Sequence, residues 1–240
     1  MEEFTKQLDA LMAAGQWDRA EELLRDRLSG AASSGSRAAE LSVCSELLGF
    51  YRMRADEKRF AEIYRRTMAL LEGVSMPGEA RGTILVNAAT GLVAFGRAEE
   101  ALPLYKQAGN LLRGALPRGD FLLAALYNNL SSAYAALGRF REAEENLLAA
   151  MDELRRSPFQ PDVATSYVNL AQLYATQDPA DPRIGRCLER AMEWLDQPEM
   201  IWNEYYAHTA RKCAGGFESL GRSREAAELR ERAELIYEGT

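Results

Sequence analysis

The stretch LYNNLSSAYAALGRFREAEENLLAAM runs from Leu126 to Met151. Leu126, Leu130, Tyr134 and Leu137 recur at spacings that put them on one side of an α-helix. Gly138 interrupts the run. Beyond it, Ala143, Leu147 and Ala150 recur at four and then three residues, one side of a second helix. Small residues on that side let helix backbones approach closely. The stretch therefore predicts helix, tight turn, helix. It also contains an anomaly. Asn128 and Asn129 sit together inside the first helix, although the Asn amide competes with the helical backbone.

The same pattern recurs along the 240 residues. Gly15, Gly96, Gly138 and Gly221 are each followed five residues later by alanine: Ala20, Ala101, Ala143 and Ala226. Gly96 and Gly138 are 42 residues apart, and Gly138 and Gly221 are 83 apart, about two such steps. Two further units without the glycine fill the gaps, at CSELLGFYRMRADEKRFAEIYRRTMALL and at SYVNLAQLYATQDPADPRIGRCLERAMEWL. Six helix-turn-helix units result, at approximately 1–36, 37–76, 79–118, 121–158, 162–198 and 203–238. Pro77, Pro117, Pro158, Pro161 and Pro198 fall between units, where a helix must stop. AASSGS at 31–36 predicts a flexible turn between the first two units. Pro103 lies inside a second helix, which it should bend or start late. Strand-like alternation is absent, so the fold class is all-α. A lone helix pair cannot bury its apolar side, so the units must stack into a solenoid, one continuous domain over 1–240. In the terminal helix, Glu225, Glu228 and Arg232 lie opposite Ala226, Leu229, Ala233 and Ile236, a polar outer side suited to an end cap.

These features resemble the tetratricopeptide repeat (TPR). An aromatic residue opens the first helix at Phe4, Tyr127 and Tyr167, and Leu11, Tyr134 and Tyr174 follow seven residues later. Then come Gly, an aromatic such as Trp17 or Phe140, and Ala. The period near 42 is similar to the lengthened repeats of the kinesin light chain type. Two units depart from the pattern. In the second, Ala55 replaces the glycine and the turn reads one residue longer; in the fifth, Asp178 and Ile184 stand at the Gly and Ala places, with Pro179 and Pro182 in the turn. The resemblance implies a right-handed TPR solenoid whose first helices line a concave groove.

Nine residues before the turn position, three consecutive units carry asparagine: Asn87, Asn129 and Asn169. The flanking units carry Lys6, Glu46 and Lys212 there. An Asn amide offers a donor and an acceptor, which matches a peptide bond. A row of them can hold an extended segment by its main chain; the structural alternative is that each ties neighbouring repeats together. Ser132, Gln172 and Asn128 flank the row, with Asn128 at the groove edge and secondary to Asn129; Val86, Thr90, Thr165 and Val168 complete a mild lining. His208, Arg211 and Lys212 cluster in the last unit, where chaperone-binding TPR proteins use Lys and Asn to hold a carboxylate; a solvated charged face is the alternative.

Composition narrows the function. The chain is 47% apolar with net charge −7, which opposes approach to phosphate backbones and argues against a nucleic-acid partner. The N-terminus MEEFTKQLDALM has no apolar core of a secretory signal, and no apolar run of about 18 residues predicts a membrane span. Cys44, Cys187 and Cys213 have neither disulfide-framework nor zinc spacing, so reduced thiols in a cytoplasmic protein are expected, Cys44 and Cys213 on buried helix sides. His208 is the single histidine, and no nucleophile-base set, metal motif or phosphate loop appears. The expectation is a non-enzymatic, cofactor-free scaffold that binds a protein or peptide segment through Asn87, Asn128, Asn129, Ser132, Asn169, Gln172, Arg211 and Lys212. Self-association into a homo-oligomer and a regulatory role beside a separate effector domain are the alternatives.

Overall fold

A computed structural model describes residues 2–156, 161–198 and 200–238; Pro158, assigned above to a unit break, lies outside them. The described residues form α-helices and no strands, and the architecture is an all-α helical repeat solenoid. The chain divides into two compact units, residues 1–111 and 112–240.

The first unit contains α1 (Glu2–Ala13), α2 (Trp17–Ser33), α3 (Arg37–Met53), α4 (Glu57–Glu72), α5 (Gly78–Ala94) and α6 (Ala98–Ala115) as far as Leu111. Here α3 is central, packed against α2, α4 and α5. Leu41, Cys44, Leu47 and Leu48 of α3 are fully buried, and each buried leucine contributes about 1.5–3 kcal/mol over an exposed one.

Five of the six turns within the helix pairs share one geometry; in the sixth, Asp178 is extended at φ −149°. The Gly15 N–H donates to the Met12 carbonyl and the Gln16 N–H to the Leu11 carbonyl, the paired closure that requires a left-handed residue after the helix. Gly96, Gly138 and Gly221 repeat it at φ +74°, +69° and +74°. Ala55 repeats it at φ +52°, a conformation that costs a residue with a β-carbon about 1–2 kcal/mol. The second unit of sequence therefore has an ordinary turn, contrary to the longer one expected. Its Phe60, fully buried, takes the place that Ala20 and Ala101 hold elsewhere. Room for the ring comes from α5, where Gly91 has no side chain: a β-carbon there would lie 2.0 Å from Phe60 Cε2.

Two more expectations are corrected. Ala31–Ser33 belong to α2, so the turn is only Ser34–Ser36, closed by Gly35 at φ +69° and by the Ser36 side chain capping α3. Pro103 does not delay α6, which starts at Ala98; the proline ring is exposed.

The second unit contains α7 (Phe121–Ala136), α8 (Phe140–Leu154), α9 (Asp162–Gln177), α10 (Arg183–Leu195), α11 (Glu204–Ser219) and α12 (Ser223–Glu238). Pairs α7–α8, α9–α10 and α11–α12 form the repeats, and α9 packs against α7, α8 and α11. Ala143, Leu147, Ala150 and Leu154 of α8 are buried, and Leu188, Ala191 and Leu195 of α10 are buried at the matching places after Ile184. Between α9 and α11 the approach is so close that a β-carbon on Gly216 would lie 2.1 Å from Val168 Cγ1. Arg232 does not belong to a polar outer side. It donates to Asp196 (2.6 Å), to Glu228 and to the Tyr206 hydroxyl (3.1 Å), tying α12 to the connection after α10. No helix among the described residues is long and apolar enough to cross a membrane.

Candidate functional site

In the second unit the first helices of the three repeats are α7, α9 and α11. Their 3.6-residue period carries Ala125, Asn129, Ser132 and Ala136 along one stripe of α7, away from the buried Leu126, Leu130 and Tyr134.

Asn128 is the hub of the hydrogen bonds between α7 and α9. Its Nδ2 donates to Ser166 Oγ of α9 (3.1 Å) and to the Ala124 carbonyl (3.2 Å). Its Oδ1 accepts from Asn169 Nδ2 (3.1 Å) and Ser166 Oγ (3.3 Å). Asn169 thus ties α9 to α7 through its amide nitrogen. In the first unit, Asn87 Nδ2 of α5 donates to Ser45 Oγ of α3 at 2.9 Å. Ser45 and Asn128 stand at equivalent places, ten residues before their turns, so both bonds run from one repeat to the one before it.

Asn129 differs. Its amide makes no hydrogen bond among the described residues. It lines a recess of about 190 Å³ together with Phe121, Ala125, Asp162, Thr165 and Lys212. Lys212 is exposed and forms no ion pair among the described residues. Asp162, the recess carboxylate, accepts a hydrogen bond from the Tyr205 hydroxyl. Burial first, and then that carboxylate, push the Tyr205 hydroxyl well above its ordinary pKa. Phe121 and Tyr205 meet edge to face, ring centroids 6.4 Å apart, and both stay partly exposed, at 46% and 39%.

A second recess, about 250 Å³, is lined by Ser132, Ala135, Asn169, Gln172 and Thr176. Ser132 is exposed, its hydroxyl on the Asn128 carbonyl (3.3 Å), and Gln172 Nε2 donates to Ser219 Oγ of α11 (3.1 Å). Thr165 and Val168 are buried: Thr165, beside Cys213, still lines the Asn129 recess, whereas Val168 packs beneath Gly216.

The basic cluster comes apart. Arg211 places its guanidinium 5.4 Å from the centroid of Tyr237 on α12, whereas Lys212 turns to the Asn129 recess. Adjacent helical residues point about 100° apart, which the sequence reading overlooked. It also missed Phe121, Asp162 and Tyr205. Each stands at or next to the start of a first helix, and that shared position was the available signal.

The three thiols are buried and free. Among the described residues no group of His, Cys, Asp and Glu could hold a metal ion.

Helix pairs, most of them closed by a left-handed residue and joined repeat to repeat, define an all-α helical-repeat protein. Residues 122–181 match the tetratricopeptide repeat family model. Among solved structures, BtubC (BKLC) from P. vanneervenii is similar at 19% identity, over 93% of this chain and 91% of that one, with a TM-score of 0.63. The nearly identical TPR-like repeats of a protein named for kinesin light chain from Podosopora anserina align at 20% identity over 82% of this chain and 94% of theirs, with a TM-score of 0.55. At these identities the likeness shows the fold. Among curated proteins, none matches the sequence.

Proposed function

We propose that this chain is a protein-binding scaffold that holds an extended segment against the first-helix side of its second unit. TPR repeats generally serve protein–protein interaction, and the family is typically non-enzymatic. One observation carries the finer proposal: the Asn129 amide and the Lys212 ammonium line the same recess, and neither has a partner among the described residues. A half-buried amide without a partner suits the main chain of a bound segment, since it both donates and accepts. The ammonium beside it suits an acidic side chain or terminal carboxylate. Asn128, Asn169, Gln172 and Ser132 frame that segment, with Asn128 and Asn169 also holding α7 to α9. Phe121 and Tyr205 give it an apolar edge.

The test is titration of the full chain with an acidic acetylated peptide and its neutral amide twin. Lys212→Ala and Asn129→Ala should each weaken the acidic peptide by up to about tenfold, and salt should weaken it further. Arg211→Ala, against Tyr237, should leave it unchanged. Equal binding of the two peptides, or an equal effect of Arg211→Ala, would overturn the assignment. A native mass above one chain, abolished by the same substitutions, would favour self-association instead.

A further inference from the structure

We propose that the recess between α3 and α5 in the first unit is a socket for an arginine or lysine side chain of a bound protein segment. This rests on the segment-binding function above and assigns it a specificity determinant.

The recess has a volume of about 600 Å³, in the range of ligand sites. It is lined largely by hydrogen-bonding side chains. Asn87 Nδ2 donates to Ser45 Oγ and Thr83 Oγ1 to the Glu79 carbonyl (3.0 Å), which leaves the Asn87 Oδ1 with no partner among the described residues. Two carboxylates, Glu46 and Glu79, line the recess, and no lysine, arginine or histidine does. Glu46 Oε2 is shut off from solvent and has no hydrogen-bond donor among the described residues.

Glu46 stands in the asparagine register, nine residues before Ala55. Burial raises its pKa from the ordinary value, with Arg27 opposing the shift and Asp9 adding to it. A rotation of that carboxylate toward a cation in the recess gives it the donors it lacks, through charge-assisted hydrogen bonds. The remaining wall is apolar, formed by Ala38, Met76, Pro77 and Ile84. An acceptor-rich end beside an apolar wall fits a methylene stem carrying a cationic head. A guanidinium brings five donors and an ammonium three, against the acceptors of Glu46, Glu79 and Asn87.

The probes are an acetylated, amidated alanine peptide with one central arginine, its citrulline twin of nearly the same shape and no charge, and putrescine. They are titrated into the full chain and followed by NMR at Thr83, Asn87 and Glu46. The arginine peptide should shift these signals and bind at least about tenfold more tightly than the citrulline peptide, the size of a charge-assisted contact. Glu46→Gln should abolish that preference without lowering the melting temperature. Glu79→Gln, on an exposed residue, should weaken it with the fold intact. Equal affinity of the two peptides, or an undiminished preference in both variants, would overturn the socket; putrescine binding as tightly as the peptide would overturn the protein-segment assignment. Binding of an acidic peptide at Lys212 without any arginine response sinks the socket alone. An arginine response without acidic-peptide binding sinks the Lys212 assignment alone.

Discussion

Phe60 of α4 and Gly91 of α5 are complementary: the ring lies where a side chain on Gly91 would be, 2.0 Å from its ideal β-carbon. The ring is also fixed by Phe95, with centroids 5.0 Å apart, and by Tyr64 at 6.1 Å. It cannot swing aside as a flexible side chain would.

Gly91→Ala should therefore destabilise the chain. Overpacking costs about 1–3 kcal/mol, against a gain of about 1 kcal/mol from the better helix former. A lower urea midpoint checks the sign, and an unchanged or higher one contradicts it. The double change with Phe60→Ala should cost less than the sum of the two singles, because the alanine methyl then enters vacated space.

Ala55→Gly should act in the opposite direction. Ala55 holds φ +52° in a closure where four other turns have glycine at +67° to +74°. Removing its β-carbon relieves about 1–2 kcal/mol, partly offset by about 0.4–1 kcal/mol of added freedom in the unfolded chain. A small rise in melting temperature is expected; a fall would show that the position is unstrained.

Asn128 and Asn129 should separate stability from binding. Asn128→Ala strands the Asn169 amide, leaves Ser166 only the Asp162 carbonyl, and should cost about 1–3 kcal/mol. Asn129→Ala removes no hydrogen bond among the described residues and should keep or raise the melting temperature, since alanine is the better helix former. Measuring melts of both variants decides this, and equal losses would show that Asn129 is structural too.

The thiols should make the fold sensitive to alkali. Burial pushes Cys44, Cys187 and Cys213 each up to about 11 from an ordinary value of 9.0. With the folded pKa raised, the folded state holds its protons longer, so this stability is complete below pH 9 and is lost as pH rises toward 11. Replacing all three with alanine should flatten the decline over that window. An identical pH profile would place the alkaline sensitivity elsewhere. Native alkylation near neutral pH should be slow, and three thiols should titrate once the chain is unfolded.

Helix spacing, turn positions and the apolar side of each helix were legible in the sequence alone. Such features rest on local rules: a 3.6-residue period, a left-handed residue at the turn, and a proline where a helix must stop. Ala143, Leu147 and Ala150 announced their burial by spacing, and so did Cys44 and Cys213. Which residue faces which neighbour was not legible, because it depends on how one repeat sits on the next. Phe60 fits an alanine place only because Gly91, 31 residues away, makes room. Asn128, not Asn129, became the hub because the asparagine of the next repeat meets the residue ten before the turn, an offset set by the stacking of α9 on α7. Arg211 and Lys212, neighbours in sequence, were parted by the helix they share, one onto the Tyr237 ring and the other into the Asn129 recess. A helix's own period fixes its faces, but the register between helices is set by side chains that no local pattern relates, and that register decides which polar groups are tied up and which remain open to a partner.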